Sequence, residues 1–160
     1  MAPDGQISAD GAAPRHAEAA HRIRRFLRVA ALDRVEVLAL GLAANAATIR
    51  KATGLDTTGF VLILESNHAR HALLRHGDPG AEARRGQLAL EAADLARIAA
   101  ILREPDQVRS GETSRRGAPT ALFARRIGKA EYVVVAEVRT AARQIAFKTM
   151  FKRPIRDQGR

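Results

Sequence analysis

The stretch that determines the fold is residues 121–151, which read ALFARRIGKAEYVVVAEVRTAARQIAFKTMF. Three segments of it alternate apolar and polar side chains with the two-residue period typical of a β-strand: 121–127, 131–138 and 143–151. The connections Gly128-Lys129 and Thr140-Ala141-Ala142 are too short to cross over a sheet, so neighbouring strands must run antiparallel. The pattern predicts a β-meander in the last third of the chain.

The residues before this meander carry mainly helical patterns. Apolar side chains at helical spacing predict helices over residues 15–31, 43–53, 67–76 and about 91–103. Short apolar runs predict strands over residues 35–41 and 60–64, and another around Val108. Because helices come first and hairpin-linked strands last, we predict an α+β fold in which N-terminal helices pack on one face of a C-terminal antiparallel sheet of about four strands.

The length of 160 residues suits a single domain. Residues 1–14 combine Pro, Gly, Asp and Ser without an apolar pattern, so we expect a flexible leader there. The domain itself is predicted over residues 15–153, followed by a basic, disordered tail over residues 154–160.

Composition excludes several functional classes. The chain has no run of about 18 apolar residues and no basic-then-apolar start, so we expect neither a membrane span nor a signal peptide. It has no cysteine, which excludes disulfide frameworks, thiolate zinc sites, iron–sulfur clusters and cysteine nucleophiles. The glycine motifs of dinucleotide-binding, NTP-hydrolysing and serine-esterase sites are also absent from the sequence.

The charge of the chain indicates an anionic partner. It contains 27 Lys and Arg against 17 Asp and Glu, a formal net charge of +10. Such a surplus attracts nucleic acid, anionic lipid or an acidic protein. Most of the cations are Arg, whose planar fork binds a phosphate through two hydrogen bonds. With one Tyr, five Phe and no Trp, we do not expect base stacking on an aromatic platform to be the main binding mode.

A cluster of histidines lies in the predicted helix 67–76. Helical spacing places four polar side chains on one side of it: His68, His71, Arg75 and His76. Ala69, Leu73 and Leu74 lie on the other side and are predicted to face the core. Imidazole exchanges protons near neutral pH and a guanidinium stabilises charge on a phosphate, so the cluster suits acid–base chemistry. The alternative for His76 is a hydrogen bond to a carbonyl of the last helical turn.

The same helix offers His68 and His71, three residues apart, as metal ligands. The chain has no HExxH motif, and the charge of Arg75 would repel a divalent cation. We therefore expect neither a metal site nor another cofactor.

Two further basic features are candidates for phosphate binding. Residues 139–160 carry seven cations against Asp157 alone, a local charge of +6. Strand alternation places Lys148 and Lys152 on one face, although a face covered by salt bridges is the alternative interpretation. The turn 82–87, EARRGQ, holds Arg85 beside a glycine that lets the backbone approach a phosphate.

Five short motifs follow one another in the order of a known family: HALLRHGD (71–78), ARRGQL (83–88), ILREPD (101–106), VAEVR (135–139) and KTMFK (148–152). The chain resembles the phage nuclease domains of the barnase–EndoU–colicin–RelE class. Such domains are found fused behind phage Mu-type head morphogenesis proteins and in related effectors. The resemblance covers roughly residues 35–153.

This resemblance implies N-terminal helices before an antiparallel sheet of about four strands, and metal-independent cleavage of RNA. The 2′-hydroxyl attacks the adjacent phosphodiester and leaves a 2′,3′-cyclic phosphate. By position, the resemblance implies proton transfer by His71 and His76, stabilisation of the phosphorane by Arg75, Arg139 and Lys152, and a substrate hydrogen bond from Thr149. Phe151 stands where we expect a Tyr in this class.

We therefore predict an endoribonuclease-like toxin or effector domain, encoded by a phage or prophage, that acts on RNA such as tRNA in the cytoplasm or after delivery. Arg85 and Lys148 join Arg75, Arg139 and Lys152 as predicted substrate contacts. An acidic immunity protein covering the C-terminal basic face is a further expected partner. The alternatives are a basic module of a phage particle that binds nucleic acid or protein without cleaving it, and a zinc enzyme.

Overall fold

The computed structural model describes residues 12–156, with side chains from residue 16 onwards. Its helices are α1 (Ala12–Val29), α2 (Ala46–Thr53), α3 (Ser66–His76), α4 (Pro79–Arg84), α5 (Ala92–Leu95) and α6 (Ile98–Arg103). Its strands are β1 (Val37–Leu42), β2 (Val61–Glu65), β3 (Gln107–Ser110), β4 (Thr120–Ile127), β5 (Ala130–Arg139) and β6 (Gln144–Pro154). No helix of this part of the chain is long and apolar enough to cross a membrane.

The ends of the chain differ from the prediction where they can be compared. Helix α1 begins at Ala12, inside the predicted leader, while residues 1–11 of that leader lie outside the described residues. Strand β6 continues to Pro154, and the predicted tail from residue 157 also lies outside them. The predicted helix 91–103 is interrupted by a turn at residues 96 and 97.

The α+β class is confirmed, but the prediction of about four antiparallel strands is wrong. The sheet has six strands in the order β1-β2-β6-β5-β4-β3 and is mixed. Strand β2 runs parallel to β6, with Val61 opposite Gln144 and Ile63 opposite Ala146, and it brings β1 with it as an antiparallel edge. Strands β2 and β6 are far apart in the sequence, so no local turn signal predicts that they pair.

The hydrophobic core combines alternate residues of the strands with residues of the helices. On β5 these residues are Tyr132, Val134, Ala136 and Val138. The helices contribute Ile23, Ile49, Ala69, Leu95, Ile98, Ile101 and Leu102 to the same cluster. We call this side of the sheet the core face. The opposite side, which carries Glu131, Val133, Val135, Glu137 and Arg139 of β5, is the outer face.

A β-bulge in β6 shifts which side chains reach the outer face. Ala136 of β5 lies opposite Phe147, whereas the preceding Val135 lies opposite Thr149, so Lys148 is an extra residue. Thr149 and Phe151 consequently lie on the outer face, although Phe147 lies on the core face. The predicted unbroken alternation is therefore wrong after Phe147, because a bulge adds one residue to the period.

Candidate functional site

A cavity of about 750 Å³ opens on the outer face of the sheet, and we call it the arginine cavity. It lies where β3, β4, β5 and β6 meet the turn that follows α4. Its lining residues are Arg85, Gly86, Gln87, Gln107, Arg109, Arg126, Glu131, Arg153, Pro154, Ile155 and Arg156. Five guanidinium groups against one carboxylate make this cavity a candidate site for an anionic ligand.

Strand register explains how these residues meet. Glu131 lies opposite Arg126 on one side and Arg153 on the other, so the three form a row across the outer face. Arg153 donates a hydrogen bond from Nε to Glu131 Oε1 at 2.8 Å, and Arg126 Nε is 3.9 Å from Glu131 Oε2. Their side chains are 47% and 64% exposed, so both guanidinium groups also reach water. One carboxylate thus orients two cations without neutralising both.

A smaller cavity of about 90 Å³ adjoins the arginine cavity and has an apolar floor. Leu122, Ala124, Val133 and Phe151 form this floor, and Arg109 and Arg153 line both cavities. A ligand with charged and apolar parts can therefore place its anion among the guanidinium groups and its apolar part on the sheet.

His76 is connected to the arginine cavity through Glu82. His76 Nδ1 is 3.1 Å from Glu82 Oε2, and Glu82 Oε1 accepts a hydrogen bond from Arg85 at 2.7 Å. The side chains of His76 and Glu82 are buried, with 9% and 0% exposure. Because a carboxylate only accepts, Nδ1 carries the hydrogen, and in the neutral ring Nε2 is then the atom that can accept a proton. The ring centroid lies 6.1 Å from that of Phe151 on the outer face.

The four side chains predicted to share one face of α3 do not form one cluster in the structure. His76 is buried and bonded to Glu82 rather than to a helix carbonyl, and His68 Nδ1 donates to the Phe147 carbonyl at 2.9 Å. His71 and Arg75 are exposed and do not line the arginine cavity. Leu74, predicted to face the core, is 82% exposed, because the buried side of the helix is the one that carries Ala69, Ala72 and His76.

Lys152 lies on the core face, away from the arginine cavity. Its Nζ is 2.9 Å from Asp94 Oδ2, and the Tyr132 hydroxyl donates to Asp94 Oδ1 at 2.8 Å. Burial alone would raise the pKa of Asp94, but hydrogen bonds from the Glu91 backbone and from Lys152 hold that pKa below its usual value. Burial and the hydrogen bond to Asp94 raise the pKa of Tyr132 to about 12. The predicted shared face of Lys148 and Lys152 is wrong, because Lys148 is the extra residue of the bulge.

Arg139 lies at the other end of the outer face. It is eight residues from Glu131 along β5, about 27 Å for an extended strand. Its Nη2 contacts Glu65 at 2.7 Å and Glu137 at 3.2 Å. Burial opposes the charge of Arg139, but these two carboxylates outweigh it and raise the pKa of the guanidinium. Burial also tends to raise the pKa of Glu137, yet hydrogen bonds from Ser114 and Arg139 keep it below its usual value.

Thr149 lies between these two ends of the outer face, opposite Val135. Its Oγ1 is buried and has no hydrogen-bond partner among the described residues. A buried hydroxyl without a partner is costly unless a ligand or water satisfies it.

Only part of the arginine cavity can be predicted from the sequence. Arg85 belongs to the predicted basic turn, and it lines the cavity with Gly86, whose φ of 72° is left-handed. Arg109 and Arg126 are not among the predicted residues, and their alternation within their strands is the signal that could have indicated them. Arg153 and Arg156 appear in the prediction only as part of the basic C-terminal segment, because the predicted strand ends at residue 151 whereas β6 continues to Pro154.

Metal-ligating side chains do not cluster in the described part of the chain: it holds no group of three or more His, Asp or Glu residues placed to bind an ion. The charged groups that line the arginine cavity are five guanidinium groups and the Glu131 carboxylate, and the His76 imidazole is joined to Arg85 through Glu82. Such a set of side chains is typical of sites that bind phosphate groups.

Comparison with protein families identifies the chain more closely. The model of the family described as phage-Barnase-EndoU-ColicinE5/D-RelE like nuclease3 matches residues 43–158, and the chain belongs to this family. The resemblance drawn from the sequence is confirmed, and family membership indicates a nuclease domain. The matched residues include every lining residue of the arginine cavity, whereas α1 and β1 precede them. Neither the curated proteins nor the solved structures contain a significant match.

Proposed function

We propose that this domain is a metal-independent endoribonuclease that cleaves RNA, tRNA included, at the arginine cavity. The observation that carries the proposal is the convergence of five guanidinium groups on a cavity whose Arg85 is joined through Glu82 to His76. Guanidinium groups bind the phosphate backbone, and imidazole is the side chain suited to proton transfer at neutral pH.

The reaction needs no group beyond these side chains. His76 Nε2 accepts the proton of a 2′-hydroxyl, directly or through one water, as the oxygen attacks the adjacent phosphorus. The new bond is O2′–P and the broken bond is P–O5′. The proton that His76 has accepted passes through water to the leaving oxygen, so the products are a 2′,3′-cyclic phosphate and a 5′-hydroxyl. Arg85, Arg126 and Arg153 stabilise the additional charge of the phosphorane.

Other predicted residues have supporting roles in this proposal. Thr149 Oγ1 can donate to the substrate the hydrogen bond that it lacks within the described residues. His71 and Arg75 are exposed on α3, where a long substrate could contact them, and Lys148 and Arg139 lie on β6 and β5 beyond the apolar floor. As a phage-encoded effector, the domain would be inhibited by an acidic immunity protein that covers Arg153 and Arg156.

The test is cleavage of total RNA by the purified full chain in EDTA, with detection of 2′,3′-cyclic phosphate ends. His76→Asn keeps a donor toward Glu82 but removes the basic nitrogen, so we expect at least about 100-fold slower cleavage in a folded protein. His21→Ala, at an exposed position of α1, is the matched control and should cleave normally.

The double substitution Arg85→Ala and Arg153→Ala should also abolish cleavage, while Arg25→Ala on the exposed side of α1 should not. If the protein binds RNA in a salt-dependent way but leaves it intact, the domain is a non-catalytic nucleic-acid-binding module instead of a nuclease. Cleavage that EDTA abolishes would replace it by the metal enzyme.

A further inference from the structure

A second surface, which the proposed nuclease site does not use, lies between α1, α3 and the region of α5. It is a groove of about 480 Å³ with apolar side chains at its base, among them Ile23, Leu27 and Leu73. Three cations line it as well: Arg24 and Arg28 from α1, and Arg70 from α3. None of its lining residues is acidic.

The groove is open to a partner. Arg24 and Arg28 are exposed, and Ala92 and Ala93 along the opposite wall are exposed too. Arg70 donates to the carbonyls of Ala30 and Ala31 at 2.8 and 3.2 Å, which fixes its guanidinium beside the end of α1. These contacts satisfy some of its donors but leave its charge without a carboxylate among the lining residues.

We infer that this groove binds an acidic amphipathic helix of a protein partner. Apolar residues of such a helix would fill the space over Leu27 and Leu73, and its flanking carboxylates would pair with Arg24, Arg28 and Arg70. Helices commonly bind in grooves in this way, with anchors three and four residues apart on one face. The combination of an apolar base and unneutralised guanidinium groups fits this partner better than a nucleic acid, whose outer surface is a continuous phosphate backbone.

The groove and the arginine cavity belong to different sides of the sheet. Ile23 and Leu95, which line the groove, are part of the cluster on the core face, whereas Arg126 and Arg153 occupy outer-face positions. A partner in the groove therefore leaves the arginine cavity accessible and acts as an anchor rather than as an inhibitor. Because α1 precedes the residues that match the family, one wall of this groove is supplied by a part of the chain outside the match.

The experiment measures binding of a fluorescent model helix to the full chain by anisotropy. The probe is a peptide of about four helical turns with Leu at the anchor positions and Glu on both flanks, and its counterpart has Lys in place of Glu. We expect saturable binding of the acidic peptide only. Arg24→Glu with Arg28→Glu should weaken it by at least about 10-fold, and the matched pair Arg50→Glu with Lys51→Glu on α2 should not.

A second variant tests the apolar part of the groove without touching the buried core. Ala93→Trp introduces a large side chain at an exposed position of the wall and should abolish peptide binding while the melting temperature stays unchanged. Equal binding of the two peptides, an equal effect of the α2 pair, or no saturable binding would overturn the inference. Two other results would overturn the inference. In the first, the wild-type chain self-associates and Ala93→Trp abolishes this. In the second, Arg24→Glu with Arg28→Glu weakens the affinity for RNA but not the affinity for the peptide. RNA cleavage is measured alongside, and its presence or absence does not bear on this inference.

Discussion

Replacing Lys152 by Met should destabilise the fold rather than remove a group from the proposed cleavage site. Lys152 Nζ lies 2.9 Å from Asp94 Oδ2, and the two side chains are only 14% and 6% exposed. Removing one member of a fully buried ion pair costs about 3–5 kcal/mol. Because Tyr132 and the Glu91 backbone still donate to Asp94, we expect about 2–3 kcal/mol here, a loss of roughly 5–10 °C in melting temperature.

The assay is urea unfolding followed by circular dichroism, with Lys148→Met as the matched control in the same strand. The effect should also depend on pH, because the pKa of Asp94 is below its usual value. A carboxyl group with a lowered folded-state pKa contributes stability above its unfolded pKa, about 3.9, and loses that contribution as the pH falls through the folded value. The difference in the free energy of unfolding between Lys152→Met and the wild type should therefore become smaller below about pH 4.

Equal stability of the Lys152→Met and Lys148→Met variants at neutral pH would refute the buried pair. A Lys152→Met protein that is fully folded at the assay temperature should still cleave RNA. Loss of cleavage under those conditions would support the phosphate contact that the family resemblance implies for Lys152.

Three further substitutions test other parts of the structure. Tyr132→Phe removes the hydrogen bond to Asp94 and should lower the free energy of unfolding by about 1–1.5 kcal/mol in the same urea assay. Thr149→Val should not lower the free energy of unfolding, because the buried hydroxyl that it removes has no partner among the described residues, yet it should slow RNA cleavage; a clear loss of stability would contradict this. Arg126→Ala should reduce the slope of log affinity against log salt for single-stranded RNA by about 0.7, and an unchanged slope in a titration series would show that this guanidinium contacts no phosphate.

Local sequence patterns predicted the elements of the fold better than their assembly. The meander from β4 to β6 follows from alternation and short turns, both of which act between near neighbours. The parallel pairing of β2 with β6 depends instead on two segments that meet only after the chain has folded. The segments that form β1 and β2 were predicted as strands, but their place in the same sheet could not be derived from spacing.

The candidate site shows the same division. Arg85 could be identified because its turn combines cations with a glycine, which is a local signal. The bond between His76 and Glu82 crosses from α3 to α4, so neither residue alone indicated it. Arg126 and Arg153 become neighbours only through Glu131, and that row requires the register of three strands.

The bulge at Lys148 decides which residues of β6 form the wall of the arginine cavity. If the same residues were paired in regular alternation, the side chains after Phe147 would exchange sides: Lys152 would reach the outer face, and Arg153 would point into the core. Deletion of Lys148 would remove the bulge and leave these sides unchanged, whereas one inserted residue that the bulge does not absorb would reverse them. A single added codon would therefore alter the cavity wall at several positions at once, which no point substitution does.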